Sequence, residues 1–86
     1  MEKIDILRKR LLYQSQHRGM KEMDMALGGF AEQTLQTMTT EELLRFEDLL
    51  AFPDQELYGL FFEGVPFLEG PLQTLIQRID DFIKNK

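Results

Sequence analysis

The sequence predicts an all-α protein, a compact five-helix bundle with short connections that forms a single domain over residues 1–86. Apolar residues recur at spacings of three and four along most of the chain, which is the period of a helix. No segment alternates between apolar and polar residues with the period of two that marks a half-buried strand. Gly and Pro separate the periodic segments, and 86 residues suffice for one small core.

The first two helices are predicted at about residues 3–17 and 20–36. Gly19 interrupts the helical pattern and suits a tight turn between them. The apolar stripe of the first helix consists of Ile4, Leu7 and Leu11. The stripe of the second consists of Met20, Met23, Leu27, Phe30, Ala31, Thr34 and Met38. Gly28 and Gly29 each cost about 1 kcal/mol relative to Ala inside a helix. They therefore predict a kink or a close approach to another backbone.

The third helix is predicted at about residues 40–51, because Thr39 and Glu42 match a capping box. Its inward residues are Leu43, Phe46 and Leu50. The fourth helix is predicted at about residues 55–63, with Asp54 as its N-cap. Its aromatic side chains are expected in the core, although a helix this aromatic can leave one ring exposed for a partner. These aromatic residues are Tyr58, Phe61 and Phe62.

The last helix is predicted to begin at Pro71, which suits the first position of a helix. Gly64 is expected to end the fourth helix as a C-cap, and residues 64–70 are expected to form a loop. The fifth helix carries the most regular apolar stripe of the chain. That stripe consists of Leu72, Leu75, Ile76, Ile79 and Ile83.

Charge is distributed unevenly along the chain. Residues 1–21 carry a net charge of +4, residues 22–82 carry −11, and the whole chain carries −5. An acidic body disfavours nucleic acid, because neutralised phosphates supply most non-specific affinity for it. It favours a protein partner with a basic groove or cleft. The chain has no Cys, which excludes a disulfide scaffold, a thiolate metal site and a Cys nucleophile.

The N-terminal segment and the lack of long apolar runs bear on localisation. No run approaches the roughly 20 apolar residues of a membrane span. The first residues lack the apolar core and cleavage site of a signal peptide, and their acids argue against a transit peptide. We therefore expect a complete, monomeric chain in the bacterial cytoplasm, or else the mature form of a mitochondrial matrix protein.

Conventional catalytic and metal-binding patterns are missing from the sequence. His17 is the one histidine, and the acids do not show calcium-loop spacing. Asp80 and Asp81 diverge by about 100° on a helix and cannot act as a carboxylate pair. Gly28 and Gly29 lack the strand and third glycine of a dinucleotide-binding motif. The sequence therefore predicts a protein that binds another protein, with no metal, no stably bound cofactor and no catalytic residues.

The segment around residues 17–25 carries the candidate partner-binding residues. On a helical wheel Glu22, Met25 and Gly29 point away from the core stripe, and Arg18 is expected to project to the same side. One interpretation is a simple Arg18–Glu22 surface ion pair. The other is a partner-binding patch, since Arg, Tyr and Met are enriched in interfaces. Asp24 is expected to bond to a helix end or to an Arg.

A second exposed set lies on the first helix, where Tyr13 and His17 are one turn apart and opposite the core stripe. Both sets together give the candidate partner-binding residues of the chain. These are Tyr13, His17, Arg18, Gly19, Glu22 and Met25.

Residues 18–24 resemble the succinate dehydrogenase flavinylation factors, small assembly factors for covalent FAD attachment. The family motif Arg-Gly-x-x-Glu is met by Arg18, Gly19 and Glu22, and Met20 and Asp24 extend the match. The similarity covers about residues 5–80. It departs from the family at Leu60, where members often carry Trp, so the packing of the fourth helix is expected to differ.

The resemblance implies a chaperone-like assembly factor that binds the flavoprotein subunit of succinate dehydrogenase, with fumarate reductase as a further client. FAD then belongs to the partner, whose own His attacks the flavin 8α-methyl. Arg18, Gly19 and Glu22 would contact the partner, and we expect Arg18→Ala and Glu22→Ala to leave the fold intact. The alternative is a regulatory protein-binding module, such as an antitoxin-like partner of a small membrane protein. The sequence leaves both open, because each needs only an exposed patch.

Overall fold

The computed structural model of the chain describes residues 3–66 and 70–85. Within these ranges the chain forms five α-helices and a short 3-10 turn, with no strand. The helices are α1 (Lys3–Gln16), α2 (Lys21–Thr34), α3 (Thr40–Leu50), α4 (Asp54–Phe62) and α5 (Gln73–Lys84), and the turn is Leu35–Thr37. The predicted all-α fold of five helices with short connections is confirmed.

The start of α3 is stabilised by the predicted capping box. The Thr39 hydroxyl accepts a hydrogen bond from the Glu42 N–H at 3.2 Å, and the Glu42 carboxylate accepts from the Thr39 N–H at 2.9 Å. The prediction of Asp54 as an N-cap is wrong. Pro53 is the N-cap of α4, without a side-chain bond, and Asp54 is the first helical residue. The Asp54 carboxylate does not cap the helix because it pairs with a distant Arg, as described below.

The segment between α4 and α5 differs in part from its prediction. Glu63 is the C-cap of α4, and Gly64 follows it with a φ of +71°. The Val65 N–H returns to the Gly59 carbonyl at 3.0 Å. The glycine therefore ends the helix, but one position beyond the predicted C-cap. The helix α5 begins two residues after Pro71, because the Gln73 N–H first closes a tight turn onto the Gly70 carbonyl at 3.1 Å. Residues 67–69 of the predicted loop lie outside the described residues.

A single hydrophobic cluster takes side chains from all five helices. The predicted stripes supply most of its buried members, with Ile4, Leu7, Met20, Leu72 and Ile83 at its partly buried edge. Leu35 and Leu49 are buried in the cluster as well, although no predicted stripe included them. The helix α2 occupies the central position, since it packs extensively on α1 and also contacts α4 and α5. None of the helices in the described ranges combines the length and apolarity needed to cross a membrane.

The packing of α1 on α2 is close at Gly28, which is buried. A Cβ at this position would lie 2.9 Å from Gln16 Cγ, 3.4 Å from Gln16 Cα and 3.4 Å from the Ser15 carbonyl oxygen. The glycine therefore lets the two backbones approach each other, one of the two outcomes that the sequence predicts for it.

Candidate partner-binding site

The guanidinium of Arg18 is held inside the molecule. Its Nε donates to Asp54 Oδ1 at 2.7 Å, and its two terminal nitrogens donate to the carbonyls of Leu50 and Phe52. The Arg18 side chain is only 12% exposed. Because α3 ends at Leu50, these carbonyls are acceptors that the helix itself leaves unpaired. Arg18 thus fastens the α1–α2 turn to the α3–α4 connection.

The interpretation of Arg18 and Glu22 as an ion pair on one exposed face is wrong. Arg18 precedes α2, and Gly19, with a φ of +97°, turns the chain so that the guanidinium reaches Asp54 instead. A Cβ at Gly19 would meet no atom within 4 Å, so glycine is needed here for its backbone conformation and not for packing within the chain.

Asp24 stabilises the same turn from the other side. Its Oδ1 accepts a hydrogen bond from the Arg18 N–H at 2.6 Å. The predicted bond between Asp24 and an Arg is confirmed, although it uses the Arg backbone. The N-cap of α2 is Met20, which has no side-chain cap. The carboxylate of Asp24 therefore takes over the role of holding the chain at the start of α2.

Tyr13 and His17 form a stacked pair at the end of α1. Their ring centroids are 4.0 Å apart with an interplanar angle of 19°, and Tyr13 is 64% exposed. His17 Nδ1 lies 2.8 Å from the Tyr13 carbonyl oxygen. Since a carbonyl can only accept, Nδ1 is the donor of this hydrogen bond, and the bond orients the ring beside Tyr13.

A polar pocket of about 570 Å³ brings Tyr13, His17 and Arg18 together. It lies between α1, the end of α3 and the start of α4. Its lining residues are Tyr13, Gln14, His17, Arg18, Glu47, Leu50, Ala51 and Asp54. One wall is fixed by an ion pair between Arg10 and Glu47. The pocket offers donors and acceptors from several elements, which suits a polar segment of a protein partner.

The predicted residues Glu22 and Met25 line a different, apolar pocket of about 260 Å³. Its lining residues are Glu22, Met25, Ala26, Phe62, Phe82 and Ile83. Met25 is 57% exposed, as predicted, and Phe62 is 40% exposed. The expectation that α4 leaves an aromatic ring exposed is therefore met by Phe62. The motif segment of residues 18–22 links the two pockets along the chain.

A third groove, of about 570 Å³ like the polar pocket, lies between α4 and the start of α5. Leu60 lines this groove together with Val65 and Leu72. No group of three or more potential ligand side chains in the described ranges is arranged to hold a metal ion.

Sequence reasoning missed the long-range partners of these sites. The pairing of Arg18 with Asp54 spans 36 positions, and no local spacing rule indicates it. Phe82 and Ile83 were also not assigned to a site, although Ile83 belongs to the apolar stripe of α5 and Phe82 is its neighbour in the sequence. The signal for Phe62 was present, since its helix carries more aromatic residues than one buried face can hold.

Comparison with known proteins identifies a family. The family model described as "Sdh5: Flavinator of succinate dehydrogenase" matches residues 9–83. The chain is 39% identical over 72 residues to the FAD assembly factor SdhE of Acetobacter pasteurianus, which covers 84% of this chain and 66% of the relative. It is 53% identical over 88 residues to the mitochondrial succinate dehydrogenase assembly factor 2 of Caenorhabditis elegans, covering 99% of this chain and 74% of the relative.

A third relative is the mitochondrial succinate dehydrogenase assembly factor 2 of Candida glabrata, 36% identical over 89 residues. That match covers 99% of this chain and 58% of the relative. The chain thus spans less than two thirds of the length of some of the relatives it matches. The family match nevertheless extends over most of the chain, from α1 to α5. The chain therefore belongs to the Sdh5 family, the flavinators of succinate dehydrogenase.

Proposed function

We propose that this chain is an assembly factor that binds the flavoprotein subunit of succinate dehydrogenase and promotes the covalent attachment of FAD to it. The observation that carries the proposal is the family match over residues 9–83. The names of the bacterial and mitochondrial relatives, FAD assembly factor and succinate dehydrogenase assembly factor, support it. Fumarate reductase, whose flavoprotein is of the same kind, is proposed as a further client.

The proposed contact surface contains the polar pocket and the turn beside it. Tyr13 and His17 present an exposed aromatic stack, and Gly19 presents an exposed backbone that no residue beyond its sequence neighbours covers within 4 Å of the Cβ position. Glu22 and Met25 extend the surface along α2. Arg18 contributes by holding the α1–α2 turn in place through Asp54, and its remaining edge lines the pocket. Hydrogen bonds from Arg18 to Asp24 and Asp54 hold the α1–α2 turn of this surface in place, and such preorganisation reduces the entropic cost of association.

The proposed mechanism is positioning, not catalysis by this chain. Holding a reacting group and its target in one geometry can lower a barrier by several kcal/mol without any new catalytic group. The flavin and a His of the client supply the bond-forming chemistry. We propose that FAD is held by the client, and that this chain acts as a monomer where the client matures, in the bacterial cytoplasm or the mitochondrial matrix.

The test is covalent flavin fluorescence of the flavoprotein band on a denaturing gel, in a deletion strain with and without this chain. We expect the fluorescent band only when the chain is present. The double variant Tyr13→Ala/His17→Ala should reduce the band severalfold, whereas Leu44→Ala, which changes an exposed residue on α3, should not.

Equal bands with and without the chain would contradict the proposal. A pull-down that then returned a small membrane protein would support the regulatory, antitoxin-like alternative instead. Equal bands for the double variant and the wild type, in a strain that depends on the chain, would remove Tyr13 and His17 from the contact surface.

A further inference from the structure

We propose that the apolar pocket between α2, α4 and α5 is an anchor site for one bulky apolar side chain of the client, followed or preceded closely by a Lys or Arg. We call it the anchor pocket, and it is lined by Glu22, Met25, Ala26, Phe62, Phe82 and Ile83. The inference rests on the proposed function and names the part of the client that this surface recognises.

The lining of the anchor pocket favours an apolar occupant. Five of its six lining side chains are apolar, and two of them, Met25 and Phe62, are among the most exposed large apolar residues of the described chain. They come from different helices and meet at one opening. Burying such surface releases water and stabilises a complex. The flexible thioether of Met25 can adapt to the shape of the inserted side chain.

The walls of the anchor pocket are already in place in the free chain. Phe82 packs edge-on against the buried ring of Phe30, with centroids 5.9 Å apart. Phe62 packs against Tyr58 at 5.0 Å. Ala26, at the floor, is buried and belongs to the central helix α2. Because the pocket is preformed, its residues need not become ordered when a side chain binds, and the entropic cost of that ordering is avoided.

Charge at the rim indicates what lies beside the inserted side chain. Glu22 is exposed and has no hydrogen-bond or ion-pair partner among the described residues, unlike Glu42 and Glu47. Residues 22–82, which supply all the lining except Ile83, carry a net charge of −11. A basic side chain on the client would complement this field and steer the encounter.

The same charges disfavour a second copy of this chain as the occupant. A symmetric dimer uses the same patch on both subunits. Such a contact through the anchor pocket would bring two exposed Glu22 carboxylates close together. A heterologous partner with a basic apolar segment avoids this repulsion.

The test is the dissociation constant between the full chain and the purified succinate dehydrogenase flavoprotein subunit, measured by calorimetry at low and at high salt. We expect Phe62→Ala and Met25→Ala each to raise the Kd about tenfold. Glu22→Gln should raise the Kd at low salt and make binding less sensitive to salt, because it removes one screened attraction. Leu44→Ala is the matched control and should change the Kd by less than about twofold.

Circular dichroism of each variant shows whether the fold is retained, and the exposure of Phe62, Met25 and Glu22 makes retention the expected result. Unchanged affinity for Phe62→Ala and Met25→Ala, with wild-type binding intact, would overturn the anchor pocket and leave the proposed function standing. No binding by the wild type would overturn the proposed function and this inference with it. A change in self-association of Phe62→Ala, with client binding unchanged, would assign the pocket to a second copy.

Discussion

At the scale of single residues, Arg18 and Glu22 of the motif have different structural roles. The Arg18 side chain is mostly buried and makes three hydrogen bonds to residues of α3, α4 and the segment between them. Glu22 is exposed and has no partner among the described residues. A substitution of Arg18 can therefore abolish function because it destabilises the fold. A loss of function on substitution of Glu22 instead indicates that the surface around Glu22 is needed.

We expect Arg18→Ala to lower the free energy of unfolding by about 2–4 kcal/mol, because it leaves the Asp54 carboxylate and two carbonyls without their donor. Glu22→Gln should change it by less than about 0.5 kcal/mol, as is usual for an exposed residue. Urea denaturation followed by circular dichroism measures both. This replaces the sequence-based expectation that both variants leave the fold equally intact.

Arg18→Lys provides the control, since it keeps the charge but loses the planar fork that reaches several acceptors at once. It should recover only part of the lost stability. If Arg18→Ala unfolded at the same urea concentration as the wild type, the tether to Asp54 would contribute nothing. Arg18 would then act solely at the partner surface.

At the scale of helices, sequence rules that use only neighbouring residues correctly predicted the features that depend on contacts between neighbouring residues. Thr39 and Glu42 are three positions apart and form the predicted capping box. The apolar stripes follow from the helical period, and each of them faces the core. Asp54 shows where this reasoning stops. A local rule makes it an N-cap, but Arg18, 36 positions away, competes for its carboxylate.

Arg8 is a second case that the sequence could not indicate. Its guanidinium donates at 2.9 Å to the carbonyls of Leu35, which begins the 3-10 turn after α2, and of Met38, which follows that turn. No residue within a few positions of Arg8 in the sequence indicates that these carbonyls accept its hydrogen bonds. Long flexible cations reach such carbonyls only once the tertiary fold brings the helices together. The division of the candidate site into two pockets follows from the same kind of long-range contact.

The capping box of α3 makes stability depend on pH. The pKa of Glu42 is lowered from its ordinary value, chiefly because its carboxylate accepts the Thr39 N–H, with further lowering from the Thr39 hydroxyl and Arg78 against an opposing effect of desolvation. A lowered pKa in the folded state gives stability that is complete above the unfolded pKa, near 4.3. This stability is lost as the pH falls through the pKa that Glu42 has in the folded state.

We therefore expect Glu42→Gln to be less stable than the wild type at pH 7, and the difference to shrink as the pH falls below about 4. Thr39→Ala should cost about 1 kcal/mol at neutral pH through loss of the cap. Denaturant unfolding at a series of pH values measures both. A stability difference for Glu42→Gln that stayed constant down to pH 2 would show that its ionisation is not involved.

The contact between α1 and α2 depends on the small size of Gly28. In Gly28→Ala the new Cβ would lie 2.9 Å from Gln16 Cγ, so the Gln16 side chain must shift, and the gain of about 1 kcal/mol in helix propensity offsets part of that cost. Gly28→Leu has no such room, because the Gln16 Cα and the Ser15 carbonyl stand behind that side chain. We expect it to lower the free energy of unfolding by about 1–3 kcal/mol through overpacking. Thermal unfolding of the matched pair tests this, and equal stability would mean that the helices can separate freely.

At the scale of the whole molecule, the uneven charge of the chain is partly used within the fold. All three Arg residues of the basic N-terminal segment bond across the molecule: Arg8 to carbonyls, Arg10 to Glu47 and Arg18 to Asp54. The basic segment therefore clamps α1 and its turn onto the more acidic remainder. Glu22, in contrast, is exposed and has no side-chain partner among the described residues.

The single core cluster joins both ends of the described chain, since Leu11 of α1 and Ile79 of α5 are both fully buried in it. We expect Leu11→Ala and Ile79→Ala each to lower the free energy of unfolding by about 2–5 kcal/mol, the usual cost of a core cavity. Because one core holds all five helices, each variant should still unfold in one transition with an unchanged dependence on denaturant. Leu44→Ala, at an exposed position, should change the free energy of unfolding by less than about 0.5 kcal/mol.

A second transition in Ile79→Ala, with α1 to α3 remaining folded, would show that α5 is a separate unit. The anchor pocket, which α5 helps to form, would then be able to open without unfolding the rest of the chain.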